Sequence, residues 1–233
     1  MISFLQKYAE SFLALLYPKL CLVCESSLLG NEDILCTPCR HSLPLTHFHL
    51  SEGNPVEQIF WGRLPVHRAT SLLYFDKGSA YNRLIHHLKY QGRKDVGLFL
   101  GKLLGSAILS SSLSSIDYIV PVPLHRAKLH RRGFNQSQII AEGVGEMLGV
   151  EVLTDILSRK VYTPTQTLRK RYDRWKNVEG IFECKHQDII NRKHILLIDD
   201  VITTGATMEA AGSVLYSAGD VLLSVAAVCY TNI

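Results

Sequence analysis

Ile195-Leu-Leu-Ile-Asp-Asp-Val-Ile-Thr-Thr-Gly-Ala-Thr207 is the stretch around which the rest of the chain is read. Four consecutive aliphatic residues, Ile195–Ile198, are the pattern of a strand buried on both faces of a parallel sheet. Two carboxylates, Asp199 and Asp200, follow at its expected end, and then a loop of Thr203, Thr204, Gly205, Ala206 and Thr207. Apolar residues at helical spacing come next (Met208, Ala211, Val214, Leu215, Ala218) and stop at Gly219. Strand, polar loop and helix in that order build the crevice where open α/β sheets bind ligands. The unpaired N–H groups of a helix's first turn, with three threonine hydroxyls beside them, suit a dianionic phosphate. Asp199 and Asp200 would repel that anion, so they suit a neighbouring group that offers hydroxyls or a divalent cation. A phosphate and a diol a short distance apart describe a ribose 5-phosphate.

The same run resembles the 5-phosphoribosyl-1-pyrophosphate (PRPP) signature of type I phosphoribosyltransferases: apolar residues, two acids, then an apolar-x-Thr-Thr-Gly-x-Thr loop. Every position of that pattern is filled.

The chain has 233 residues, 47% of them hydrophobic and 20% charged, which suits one full domain plus a small appendage. We expect residues 1–50 to hold an N-terminal helix and a metal module, and 51–233 to form the main domain. A net charge of +4 permits a phosphate or nucleic-acid partner without demanding one. No stretch reaches the ~20 apolar residues that a bilayer span needs. The apolar N-terminus (Phe4, Leu5, Phe12, Leu13, Leu15, Leu16) is interrupted by Lys7 and Glu10 and lacks the features of a secretory leader. The expectation is a cytoplasmic protein with no membrane insertion.

The cysteines agree with that compartment. Cys21-x-x-Cys24 and Cys36-x-x-Cys39 are separated by eleven residues, while Cys184 and Cys229 stand alone. Where disulfides are not expected, paired CxxC elements read as metal ligands. Four thiolates around one tetrahedral ion, with Zn2+ at ~2.3 Å as the default, leave no open coordination position, so the metal would be structural. An iron–sulfur cluster is the main competitor, and His41, His47 and His49 read as surface histidines.

From about Ala69 the pattern alternates. Strands are expected at Ala69–Phe75 and Tyr118–Val122, and helices at Tyr81–Tyr90, Val96–Leu109 and Phe134–Leu148. Short strands near Glu151–Ile156 and Val221–Cys229 are expected to flank Ile195–Ile198. That order implies a mostly parallel sheet with helices on its faces.

Three polar segments interrupt it. Pro121–Gln136, read as a basic loop, places Arg126, Lys128, Arg131 and Arg132 at a strand's C-terminal end, with Gly133 allowing close backbone approach near the next helix. Guanidinium groups there fit a pyrophosphate because they bind phosphate oxygens in pairs. Thr163–Asn177 (Thr163, Thr165, Gln166, Arg169, Arg171, Arg174, Trp175) reads as a mobile loop that closes over an anion, or as a surface that stacks and neutralises single-stranded DNA. His86–Lys94 carries Lys89 and Arg93 at a helix end, where cations complement the dipole or meet a ligand such as DNA.

Together these pieces resemble the ComF (competence protein F) family, in that family's order. They are the four-cysteine element, Leu88-Lys-Tyr-Gln-Gly-Arg93, Val120-Pro-Val-Pro123 with Arg132-Gly-Phe-Asn-Gln136, Thr163-Pro-Thr-Gln166 with Asn177, and Asp199–Thr207. The resemblance implies a type I phosphoribosyltransferase fold with a five-stranded sheet and a four-cysteine zinc module. It also implies PRPP with Mg2+ as ligand, a link to DNA uptake and transformation, and partners in the competence machinery. It supplies neither an acceptor nor an oligomeric state.

Overall fold

The structure, a computed structural model, describes residues 18–111, 113, 115–160 and 181–231. The helix expected at 1–16 and the segment Thr163–Asn177 lie outside the described residues. In chain order the elements are α1 (Thr37–His41), a 3-10 turn (Phe48–Leu50), α2 (Pro55–Phe60), β1 (Ala69–Tyr74), α3 (Asn82–Tyr90) and α4 (Lys94–Leu109). Then come β2 (Tyr118–Pro121), α5 (Arg126–Arg132), α6 (Gln136–Leu148), β3 (Glu151–Val152), β4 (Leu157–Arg159) and β5 (Phe182–Cys184). The chain ends with α7 (Gln187–Ile190), β6 (His194–Ile202), α8 (Ala206–Ala218) and β7 (Leu222–Tyr230).

Five strands form one parallel sheet in the order β1-β7-β6-β2-β3, and β4 pairs antiparallel with β5. The order reverses between β2 and β6: β3 continues outward from β2, while β7 returns on the far side of β6 towards β1. Such a switch leaves a crevice at the strands' C-terminal ends. Alternate residues of β6 feed two cores. Leu196 and Ile198 join the apolar side chains of α3, α4 and α6, whereas Ile195 and Leu197 join those of α2 and α8. All four are fully buried, each stabilising the fold by ~1.5–3 kcal/mol.

Three expectations are corrected. Glu151–Ile156 does not flank Ile195–Ile198. β2 takes that place, pairing Tyr118 with Ile195 through to Pro121 with Ile198, and the two-residue β3 sits outside it. Ile119 and Val120 suit burial on both faces, whereas exposed Glu151 suits an edge. Secondly, β6 does not end before the acids. Its pairing with β7 continues through Asp199–Ala227 and Val201–Cys229 to Ile202–Tyr230.

Thirdly, the basic stretch after β2 is a helix, α5, rather than a loop. His125 Nδ1 accepts from the Ala127 N–H at 3.2 Å to cap it, and Gly133, at φ +79°, ends it. Ala127, Leu129 and the long cationic side chains are good helix formers, and a left-handed glycine is a common stop.

One close approach fixes the layer that carries α6. A Cβ at Gly143 would lie 2.6 Å from the Leu98 carbonyl oxygen, and one at Gly101 would collide with that of Ile140. Helices α4 and α6 therefore touch backbone to backbone, which sets where the first turn of α6 meets the sheet.

Candidate functional site

Strand β2 leaves β6 early. Its last contact is the Val122 N–H donating to the Ile198 carbonyl at 2.8 Å, after which the chain turns away. Asn135 holds that turn: its Nδ2 donates to the Val122 carbonyl at 3.0 Å, and its Oδ1 accepts from the Ser137 N–H to cap α6. Beyond Ile198, β6 continues with one side open, and the next two residues are Asp199 and Asp200.

Strand alternation sends the two carboxylates different ways. Ser137 Oγ, at the start of α6, donates to Asp199 Oδ1 at 2.8 Å, and the Asp200 N–H donates to the same oxygen at 2.8 Å. Lys89 Nζ, at the end of α3, sits 2.9 Å from Asp200 Oδ2. These partners leave the acids half-buried rather than at the solvent-facing strand end that the sequence implies. Burial, and then the neighbouring charge of Asp200, raise the Asp199 carboxyl to about 6. Among the described residues, Asp199 Oδ2 and Asp200 Oδ1 carry no hydrogen bond. Each acid thus keeps one acceptor oxygen for a ligand.

The threonine loop lies directly downstream. Gly205 adopts φ +72°, and a side chain there would meet Ile59 Cγ2 at 2.5 Å and the Phe60 ring at 3.1 Å, so α2 packs closely beneath it. Arg63 Nη1 donates to the Thr204 carbonyl at 2.9 Å, and its other nitrogen pairs with Glu209 in the first turn of α8. Thr203, Thr204, Ala206 and Thr207 are exposed. No side chain caps the thirteen-residue α8, so its first N–H groups face outward with the positive end of the helix dipole. A helix start of this kind is a geometry that an anion can fill.

Helix α5 faces the same crevice. Burial, and then the cations Arg159, Arg132, Arg131 and Lys89, depress the Lys128 ammonium below its usual range. Arg132 Nη1 donates to Gln136 Oε1 at 2.6 Å and the guanidinium lies 5.8 Å from the Tyr90 ring, yet its buried Nε has no partner among the described residues. Cations crowded this way destabilise one another until an anion arrives. Arg126 and Arg131 are exposed, and Gly133 leaves open space beside its Cα. Arg93 points elsewhere and pairs with Asp95 at 2.6 Å.

Four contributors were missed from sequence. Arg159 on β4 stacks 5.3 Å over the Phe182 ring with its charge beside Asp199, and Ser137, Ile59 and Arg63 brace the acids and the loop. Only Ser137 had a local signal, as a hydroxyl just inside a helix start. Thr163, Thr165, Gln166, Arg169, Arg171, Arg174 and Trp175 lie outside the described residues.

Away from the crevice, the Sγ atoms of Cys21, Cys24, Cys36 and Cys39 all lie within 4.8 Å of one another. A tetrahedron with ~2.3 Å metal–sulfur bonds has edges of about 3.8 Å, so this donor set is close to the size that a tetrahedral thiolate-binding ion needs. The Glu25 N–H turns back to the Cys21 carbonyl at 2.9 Å, and the Arg40 N–H to that of Cys36 at 2.9 Å, giving each pair a tight knuckle. Hydrogen bonding from Ser26 lowers the Cys24 thiol to about 6, whereas burial raises that of Cys39. His41, His47 and His49 take no part in the cluster. Among the described residues no helix is long and apolar enough to cross a membrane.

No family model matches the chain. It is 30% identical over 224 residues to the DNA utilization protein YhgH of Escherichia coli strain K12, covering 94% of this chain and 93% of that protein. It is 29% identical over 141 residues to competence protein F of Haemophilus influenzae, covering 58% of this chain and 62% of that one. Among solved structures it is similar to the glutamine PRPP amidotransferase of Bacillus subtilis, with a TM-score of 0.40 and 21% identity over 60% of this chain and 30% of that one. That likeness concerns the fold alone.

Proposed function

The chain belongs to the ComF family of competence proteins, and from that premise we propose that it binds PRPP and transfers the 5-phosphoribosyl group to an acceptor in the cytoplasm. What supports this reading is one juxtaposition. Two half-buried carboxylates with a free oxygen each stand beside an uncapped helix N-terminus and opposite a self-repelling group of cations.

The ligand's 5-phosphate would sit on Thr203–Thr207, its ribose hydroxyls on Asp199 and Asp200, and its pyrophosphate against Arg126, Arg131, Arg132 and the Gly133 backbone. As the bond from the anomeric carbon to the pyrophosphate oxygen breaks, its electron pair leaves with the pyrophosphate and positive charge grows on the sugar ring. Fixed cations on one side and fixed carboxylates on the other meet those charges where they develop. An acceptor lone pair then bonds to the anomeric carbon, and the acceptor's proton goes to solvent or to a base that it brings. The free carboxylate oxygens and the phosphate oxygens are the hard donors that Mg2+ prefers. The residues that would hold Mg2+ are Asp199 and Asp200, and the chemistry it would supply is neutralisation of the leaving group. The segment Thr163–Asn177 would close over the bound ligand. Residues 1–50, with Zn2+ on the four cysteines, would form a structural module beside the 51–233 domain.

Calorimetry with PRPP and Mg2+, followed by a pyrophosphate-release assay across nucleobases and amines, tests the proposal. Tight binding with release on one acceptor class is the expected result. Binding without release on any of them refutes transfer, and no binding refutes the whole reading.

The exposed face of α5, with Arg126 and Arg131, favours a second reading in which the pocket senses PRPP and this face, with Arg171 and Trp175, holds single-stranded DNA for competence partners; Lys89 and Arg93, expected from sequence to join them, are instead paired with Asp200 and Asp95. Its affinity should then fall steeply with salt, and Arg126→Ala with Arg131→Ala should flatten that slope. A wild-type protein that fails to shift DNA at low salt refutes it.

A further inference from the structure

We infer that Lys89 is the positioning residue of the acid pair, the group that makes Asp199 and Asp200 a receptor for a vicinal diol; this rests on the ribose-phosphate reading above. Lys89 lies on α3, whose two ends are both held. At its start, Tyr81 Oη donates to the Cys39 carbonyl at 3.0 Å, and Arg83 donates to the Val23 carbonyl at 3.1 Å and to Glu25 at 2.6 Å. Leu84, Ile85 and Leu88 are buried along its length, and its last turn delivers Lys89 Nζ to Asp200 Oδ2.

The pair is shielded: the Lys89 side chain is 20% exposed and that of Asp200 13%. Shielded ion pairs return little net stability, because desolvating two charges offsets their attraction. What the contact does provide is geometry and charge. Holding Oδ2 fixes the carboxylate rotamer and leaves Oδ1 to the crevice. Placing a cation beside two adjacent acids offsets part of the repulsion between them. Two acceptor oxygens, one per acid, complement two donor hydroxyls. Arg159, on β4, has its charge beside Asp199, whereas the ion pair with Asp200 comes from Lys89.

The threonine cradle is independent of Lys89, which makes the inference separable from general damage. Calorimetry on the full chain should compare inorganic phosphate, ribose 5-phosphate and 2-deoxyribose 5-phosphate. Wild type is expected to prefer the ribose over the deoxy sugar by about tenfold, the value of one hydrogen bond to a charged group. Lys89→Met should remove that preference with phosphate affinity unchanged, and Lys89→Arg should restore most of it. Should Lys89→Met fail to fold, Lys89→Gln keeps a polar side chain without the charge and should likewise lack the preference. Retention of the wild-type preference in either variant overturns the role of Lys89. A wild type that binds phosphate but does not separate the two sugars overturns the diol reading itself.

Discussion

The four thiols of the cysteine module come from nineteen consecutive residues, Cys21 to Cys39, whereas the crevice gathers Lys89, Ser137, Arg159, Asp199 and Thr207 from across the chain. The module is closed by local turns that bring its four sulfurs together. The crevice is held open by the departure of β2 from β6, by backbone contact between α4 and α6, and by the packing of α2 under Gly205. A local site stands or falls with its ligand; a distributed one is as stiff as the fold around it. Helix α3 touches both, so the two regions are mechanically joined at Tyr81, Arg83 and Lys89.

Removing one thiol is the largest perturbation of that contrast. Cys36→Ser breaks the closed shell, and the lost metal affinity appears as lost folding free energy, several kcal/mol for a module this small. Metal content should fall to background, residues 18–45 should become protease-sensitive, and the melting temperature should drop. Because α3 is anchored on Cys39 and Val23, ribose 5-phosphate affinity should also fall severalfold, through Lys89, while phosphate affinity holds. A Cys36→Ser protein with full metal content would break the reading of the module. One with unchanged sugar affinity would break the link through α3.

The contrast also explains what the sequence could carry. The cysteine spacing, the apolar runs of β1, β2 and β7, and the helix spacing after Thr207 are local patterns, and the structure has those elements within a residue or two of the expected ranges. Arg126–Arg132 was misread because cationic composition hides helix propensity unless its stop at Gly133 is weighed. Strand order was misjudged because Glu151–Val152 and Tyr118–Pro121 differ mainly in which edge they tolerate, a question of partners rather than pattern. Nothing local marks Lys89 as the partner of Asp200, or Ile59 as the floor of Gly205. Each pair is separated by more than a hundred residues and meets only once the sheet order exists.

The acid pair provides a smaller effect with opposite signs in stability and binding. The Asp199 carboxyl is raised to about 6, above the ~4 of an unfolded chain. A raised carboxyl contributes stability below about pH 4 that is lost as pH rises through about 6 and stays lost above it. Asp199→Asn keeps an oxygen to accept from Ser137 and the Asp200 N–H but removes the charge. It should therefore flatten the decline between about pH 4 and 6 and stabilise the protein at pH 7 by ~2–3 kcal/mol, while abolishing discrimination between ribose and deoxyribose 5-phosphate. Denaturant unfolding across that pH range measures the first effect. An unchanged pH profile would mean that the carboxylate is solvated and that the crevice is less rigid than its contacts imply.

Thr207→Val sets the finest scale of the comparison. Valine matches threonine in shape and stands exposed in the first turn of α8, so neither the helix nor the packing of Gly205 should change. Only one hydroxyl donor leaves a cradle that retains the backbone N–H groups. Phosphate and ribose 5-phosphate affinities should fall together, by about tenfold or ~1.5 kcal/mol, with the preference between sugars intact. Equal losses on both ligands would establish that cradle and acid pair act independently, as their separate supports in α2 and α3 require. A loss confined to the sugar would mean that Thr207 contacts a ribose hydroxyl and that the phosphate sits elsewhere along the loop.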